Sequence, residues 1–169
     1  MEIILKPFFE APNKRYSIRE LARVLKINHT TVRQHLNSLV KEEFLTIKKE
    51  GIYSFYQLIL SKKTLNLKLY YNLEKIRTSK IIGDLEKAYD LPIIILFGSY
   101  ASATDTLTSD IDLCLITNVE KEFALSKYEK ILNKKISLHK FNKSQWKNLN
   151  ISLKSNICNG IVLSGELEL

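Results

Sequence analysis

Residues 91–113 read Leu91-Pro92-Ile93-Ile94-Ile95-Leu96-Phe97-Gly98-Ser99-Tyr100-Ala101-Ser102-Ala103-Thr104-Asp105-Thr106-Leu107-Thr108-Ser109-Asp110-Ile111-Asp112-Leu113. The apolar run Leu91–Phe97 is that of a buried strand, with proline near its start, where a missing N–H is tolerated. Gly98-Ser99 then makes a turn into a short helix, and Ile111 to Thr117 is a second strand, opened by Asp110 and Asp112. Gly98 has no Cβ, so the backbone there can approach a phosphate closely. The Ser99 hydroxyl and the following helix N-terminus can hold a β- or γ-phosphate. Asp110 and Asp112 are two apart on a strand, so their carboxylates point the same way. Two carboxylates on one face make a site for a Mg²⁺ ion shared between protein and triphosphate. Such an ion can activate an attacking oxygen and stabilise a leaving pyrophosphate. A bare Asp-x-Asp is common; here it opens a strand and follows a Gly-Ser turn that ends another, and that context makes the pattern specific.

Phe97-Gly98-Ser99-Tyr100-Ala101, followed by Ser109-Asp110-Ile111-Asp112-Leu113, resembles the signature of the DNA polymerase β-like nucleotidyltransferase superfamily, in particular its minimal nucleotidyltransferase members. The spacing from the Gly-Ser pair to the first aspartate fits without a gap, and the resemblance covers roughly the second half of the chain. It implies Asp110 and Asp112 as metal-binding and catalytic residues, Gly98 and Ser99 as phosphate-binding residues, and Mg²⁺, with Mn²⁺ as the alternative, as cofactor. The implied reaction is transfer of a nucleoside monophosphate from the metal–NTP to a protein or RNA hydroxyl. Minimal members are often paired with a small helical protein as toxin–antitoxin modules, which implies a protein partner of that type. Two departures bear on activity. The family usually has a basic residue, often followed by glycine, where this chain has Ser102-Ala103. Active members also carry a third carboxylate on a later strand, yet no Asp or Glu occurs between Glu129 and Glu166, and the candidate strand around Lys134–Lys140 is acid-free. His139 on that strand is open to two readings: a deputy base or ligand, or an ordinary hydrogen-bonded histidine on a sheet.

Outward from the motif, residues 120–132 form a helix with Phe123, Leu125, Tyr128, Ile131 and Leu132 available for packing, and Lys135 to Phe141 is a third strand. Residues 142–159 are mainly helical, and Gly160–Leu163 is a terminal strand. Strands alternating with helices give a small mixed sheet covered by helices. Before the motif, Leu65, Leu69, Leu73 and Ile76, then Ile81, Ile82, Leu85 and Ala88, lie on one stripe with a register shift near Thr78-Ser79, the pattern of a long helix over 62–89. That helix is a connector, a homodimer surface, or both.

The first third reads differently. Residues 2–10 are a short helix. Ser17-Ile18-Arg19-Glu20 is a capping box, in which the serine hydroxyl meets the Glu20 N–H and the glutamate reaches back. Ile18, Leu21, Ala22 and Leu25 follow at helical spacing; Lys26-Ile27-Asn28 breaks the pattern, and Asn28 caps a second helix whose inner face is Val32, Leu36, Leu39 and Val40. Two β-rich runs, 44–49 and 52–58, follow, joined by a turn at Glu50-Gly51. Two helices separated by a short break, then a basic hairpin, resemble a winged helix-turn-helix. Away from the apolar stripe lie Thr30, Gln34, Asn37 and Lys41, flanked by Thr31 and Arg33, all able to bond phosphates or base edges. Lys48 and Lys49 sit at the wing. The expected DNA-contacting set is Thr30, Thr31, Arg33, Gln34, Asn37, Lys48 and Lys49, with protein contacts as the alternative use of the same fold. His29 and His35 are surface or capping residues, too scattered for a metal site.

Charge supports that division. The chain carries a net +8; residues 1–62 hold 11 Lys/Arg against 6 Asp/Glu, and residues 63–169 hold 15 against 12, so the excess is denser in the first third. Phosphate neutralisation rewards such a surplus, although a solvated lysine-rich surface has the same composition. No apolar run approaches the roughly 20 residues that span a bilayer, and the N-terminus, with an early acid and Pro7, is not a signal peptide. The two cysteines, Cys114 and Cys158, lie among apolar neighbours as buried reduced thiols, which points to the cytoplasm. The expected architecture is therefore α+β: a winged helix-turn-helix over 1–61, a connecting helix over 62–89 and a nucleotidyltransferase-like domain over 90–169. The expected function is NTP-dependent nucleotidyl transfer by a protein with a DNA-binding head. The alternatives are a catalytically weak or inactive nucleotide-sensing regulator, an antitoxin-like binding protein, and a dimer that bridges partners without chemistry.

Overall fold

The computed structural model describes residues 3–167. The chain divides into two compact units, Met1–Lys68 and Leu69–Leu169.

The first unit opens with a 3₁₀ turn, Ile3–Leu5, and helix α1 (Lys6–Glu10); Glu2, where the expected helix begins, lies outside the described residues. A two-residue strand, β1 (Tyr16–Ser17), leads directly into α2 (Ile18–Leu25). The capping box forms: the Glu20 N–H donates to Ser17 Oγ at 3.2 Å, and the Ser17 N–H donates to Glu20 Oε2 at 3.4 Å. Lys26 stops α2 in the left-handed region, with φ 56°. Asn28 then starts α3 (His29–Lys41), its Oδ1 accepting from the Thr31 N–H at 2.8 Å. Val32, Leu36 and Leu39 are buried along one side of α3, against Leu21 and Ala22 of α2 among others. Strands β2 (Leu45–Glu50) and β3 (Tyr53–Leu58) form an antiparallel hairpin turned by Gly51 at φ 60°, and β1 adds to the far side of β3, giving the order β1-β3-β2. The Tyr16 hydroxyl donates to the Pro7 carbonyl at 3.1 Å and its ring meets Phe8 edge-on at 5.0 Å, tying β1 to α1.

Residues 62–89 hold two helices rather than one. Helix α4 (Lys62–Thr78), within which the division between units falls, ends where Ser79 Oγ donates to the Ile76 carbonyl at 2.6 Å and accepts from the Ile81 N–H at 3.3 Å. With Lys80 left-handed at φ 67°, the chain restarts as α5 (Ile81–Ala88), which is the register shift seen in the apolar stripe.

In the second unit, β4 (Ile93–Phe97), α6 (Gly98–Ala101), β5 (Ile111–Ile116), α7 (Ser126–Leu132), β6 (Ile136–Phe141), α8 (Lys143–Lys147), α9 (Ile151–Cys158) and β7 (Ile161–Ser164) follow in order. The sheet runs β6-β5-β4-β7, with β5 and β6 parallel and the other pairs antiparallel. One face buries Ile94, Leu96, Ile111, Leu113 and Leu115 against Ile81 and Leu85 of α5 and Tyr128 and Leu132 of α7. The other buries Ile95, Phe97, Cys114 and Ile116 against Trp146 of α8 and Ile157 of α9. The apolar runs of β4 and β5 are continuous because both faces are covered. Three boundaries differ from expectation. Asp90 and Leu91 have φ of 54° and 53°, so the first strand begins at Ile93 and Leu91 is exposed. The helix expected over 120–132 begins only at Ser126, because the Lys121 carbonyl accepts from the Tyr89 hydroxyl at 2.7 Å and from Lys140 Nζ at 2.8 Å, while Phe123 stacks on Tyr128. The helical stretch over 142–159 is two helices, each with its own asparagine cap, Asn142 and Asn150. Both thiols are free. Cys114 is buried, which pushes its thiol up to about 12, whereas Cys158 is only half-buried.

Candidate functional site

Strand alternation carries Ile111 and Leu113 to one face of the sheet and Asp112 to the other, beyond the end of the Cys114–Ile116 core. Asp112 stands opposite Phe97 on β4 and opposite Ser137 on β6. The chain leaves β4 at Gly98 with φ 72°. A Cβ on Gly98 would overlap Asp112 Oδ2 and lie 3.3 Å from Asp112 Cγ. Two demands therefore meet at this position, a left-handed turn and a carboxylate resting on the backbone, and glycine satisfies both without strain or displacement of Asp112. Asp110 immediately precedes β5, and its charge reaches Asp112. The Asp112 carboxyl is raised above its ordinary value, first by burial and further by Asp110, with His139 pulling the other way. His139 Nε2 is 4.0 Å from Asp112 Oδ1, and the His139 ring packs edge-on against Phe97 at 5.4 Å.

These groups open on a cleft of about 580 Å³, a size that suits a mononucleotide. Gly98, Ala101, Ser102, Asp112 and His139 line one part of it, Asn156 and Asn159 another. Ser99 and Asp110 are chain neighbours of the lining rather than part of it. Asn156 and Asn159 belong to α9 and its C-cap and carry no motif that marks them in the sequence. Just after them the chain passes close to β4 at Gly160, where a Cβ would collide with the Leu96 carbonyl. Ser102, at the position where the resemblance implies a basic residue, directs its hydroxyl to the Gly98 and Ser99 carbonyls, each at 3.2 Å, and so braces the turn. Ala103 beside it has φ 58°, a conformation that glycine adopts without strain. A larger cleft of about 820 Å³ lies at the opposite ends of β5 and β6, around Thr117, Lys121, Lys140 and Lys143. It contains neither the glycine turn nor the aspartate pair.

The donor set fits a hard divalent cation. Asp112 is half-buried and lies within the field of a second carboxylate, and a cation would relieve that repulsion. Among the described residues no three His, Cys, Asp or Glu side chains gather into a metal site, so the aspartates would need oxygen ligands from a nucleotide to complete the coordination.

In the first unit, Thr30, Arg33, Gln34 and Asn37 are exposed along α3 and Thr31 is half-buried at its cap. Lys48 and Lys49 are exposed on β2, just before the hairpin turn, with Lys48 Nζ 3.8 Å from Glu50. A groove of about 620 Å³ collects Arg19, His29 and Arg33 beside Tyr53 and Phe55. Arg19 and His29 were not among the residues expected there; folding brings α2, the start of α3 and β3 together around them. No helix among the described residues is long and apolar enough to cross a membrane.

A family model described as polymerase beta, nucleotidyltransferase, matches residues 79–167, just over half of the chain. No curated protein matches it.

Proposed function

We propose, from the premise that this chain belongs to the polymerase β nucleotidyltransferase family, that its second unit transfers a nucleoside monophosphate from an NTP to a hydroxyl on protein or RNA. The observation that carries this reading is the seating of the Asp112 carboxylate against Gly98, with Asp110 within electrostatic reach. In the reaction, the acceptor oxygen bonds to the α-phosphorus, the α–β bridging P–O bond breaks, and pyrophosphate leaves with the electron pair while the hydroxyl proton is released. A divalent cation, when bound, supplies charge stabilisation on the phosphates and favours loss of that proton. Asp110 and Asp112 would hold the ion. The Gly98 turn and Ser99 would take the phosphates, and Asn156 and Asn159, which can each donate and accept, would meet the base or ribose across the cleft. His139 is the titratable group nearest Asp112 on the acid-free strand β6, and its separation of 4.0 Å supports a role beside the ion.

The absence of an acid on β6 favours a second reading, nucleotide binding without transfer. Incubating the protein with Mg²⁺ and each α-phosphate-labelled NTP, alone and with cell extract, separates the two. Covalent label that disappears in Asp110→Ala/Asp112→Ala supports transfer. Metal-dependent binding with no covalent label supports a nucleotide sensor, and the absence of both rejects the site.

For the first unit we infer a winged helix-turn-helix that binds DNA. Support comes from the exposed polar face of α3, the basic groove and the lysines of β2. Anisotropy with duplex DNA tests this, and binding that ignores substitution of Gln34 and Asn37 would favour a protein partner for the same face.

A further inference from the structure

Behind the aspartate pair lies a buried polar cluster that the reaction itself does not use. The Lys134 and Asp105 side chains are 2% and 1% exposed, with Lys134 Nζ 3.5 Å from Asp105 Oδ2. Lys134 Nζ also donates to the Thr106 carbonyl at 2.6 Å and to the Ser109 carbonyl at 3.3 Å. Two carbonyls of one loop thus accept from the ammonium, and the Asp105 carboxylate of the same loop pairs with its charge. Asn72 secures the other side, its Nδ2 donating to Asp105 Oδ1 at 2.9 Å and to the Tyr100 carbonyl at 3.0 Å. Within the loop, the Thr106 N–H donates to Ser109 Oγ at 2.9 Å. On the far side of Asp110, the Ile111 N–H donates to the Lys135 carbonyl at 2.9 Å. Asp110 is therefore suspended between two adjacent residues, Lys134 holding the carbonyl before it and Lys135 the N–H after it.

We propose that Lys134 is a positioning residue that fixes Asp110 beside Asp112 by locking the 104–110 loop, with Asp105 and Asn72 as its buried counterparts. This rests on the nucleotidyl-transfer reading above. Residues 104–110 lack helix or strand, and Leu107 and Thr108 are exposed, so the loop is held by such side-chain and turn bonds, and Lys134 is the one that reaches both Thr106 and Ser109 from outside it. A cation site made by two carboxylates and a nucleotide tolerates little displacement of either carboxylate, so the anchor of the loop sets the affinity of the site. A buried ion pair is weak grounds for stability, because an apolar replacement of both partners is often neutral. The geometry around Ser109 gives this pair a different task.

Lys134→Met removes the tether, and Lys134→Met/Asp105→Asn removes it without leaving a lone buried charge. For the full-length chain, Mn²⁺ binding in the presence of each NTP is read by electron paramagnetic resonance, alongside thermal melting and hydrogen exchange of amides 104–110. The double variant is expected to keep the parent's circular dichroism and the exchange rates of β4 and β5. Its loop amides should exchange at least tenfold faster, and Mn²⁺–NTP should bind at least tenfold more weakly. A folded double variant with the parent's loop exchange and affinity overturns the proposal. A parent that binds no Mn²⁺–NTP overturns the transfer reading instead, and the exchange comparison then still decides whether Lys134 holds the loop.

Discussion

Gly98 combines a left-handed backbone with a carboxylate where its side chain would be. Gly98→Ala should cost about 1–2 kcal/mol from the left-handed conformation alone, and displacement of Asp112 should add to that. Thermal melts would report the first effect, and an NTP affinity that falls beyond what the melt explains would report the second. Tyr128 and Asp84 give a residue-scale prediction for pH. The Tyr128 hydroxyl donates to Asp84 Oδ2 at 2.5 Å, and this bond is the foremost reason the Asp84 carboxyl lies below its ordinary value. A carboxyl depressed in the folded state stabilises the fold above its unfolded value of about 4 and loses that contribution as pH falls through the folded value. Tyr128→Phe should therefore flatten the acid limb of a urea-midpoint profile below about pH 4 while leaving its neutral-pH slope unchanged. The candidate site residues Gly98, Ser99, Asp110 and Asp112 were legible as candidates because they fall within one short stretch. Asn72, Asp105 and Lys134 were not, since residues far apart along the chain meet only after folding.

At the scale of the element, α3 depends on a single side-chain cap. Asn28→Ala removes the acceptor of the Thr31 N–H and should cost about 1 kcal/mol, read as a lower unfolding midpoint with the denaturant slope unchanged. If the first unit binds DNA, weaker binding should accompany it, because the polar face of α3 begins at that turn. The strands and most helices were legible from period and caps: the Ser17–Glu20 box, the Asn28 cap, the Gly51 turn and the apolar run before Gly98 each formed. Elements set by distant contacts were not. Strand β1 has two residues, too few for any alternation, and exists because it pairs with β3. Residues 120–125 carry helix-compatible spacing but are held irregular by Tyr89 and Lys140, whose side chains take the Lys121 carbonyl. The break at Ser79 shows in sequence only as a slip of the apolar stripe, yet it separates α4 from α5.

The whole molecule joins a basic, hairpin-bearing unit to a unit with a nucleotidyltransferase motif, and the charge surplus is concentrated in the first. If DNA is the partner of that unit, binding should weaken steeply with salt, each neutralised phosphate adding about 0.9 to the log–log slope. Lys48→Ala/Lys49→Ala should then lower the slope by up to about 2 and weaken unrelated sequences equally. Gln34→Ala should instead weaken preferred sites more than random ones. The most direct test of the central claim, that Gly98, Asp110 and Asp112 build a metal–nucleotide site, is calorimetric titration of each NTP into the full chain, with Mg²⁺ and with chelator. The same titration is run on Asp110→Asn/Asp112→Asn, which keeps the shape of both side chains. Saturable binding that requires the cation and is lost in the double variant is the predicted result. Binding that is indifferent to chelator, or that survives in the double variant, would contradict the claim.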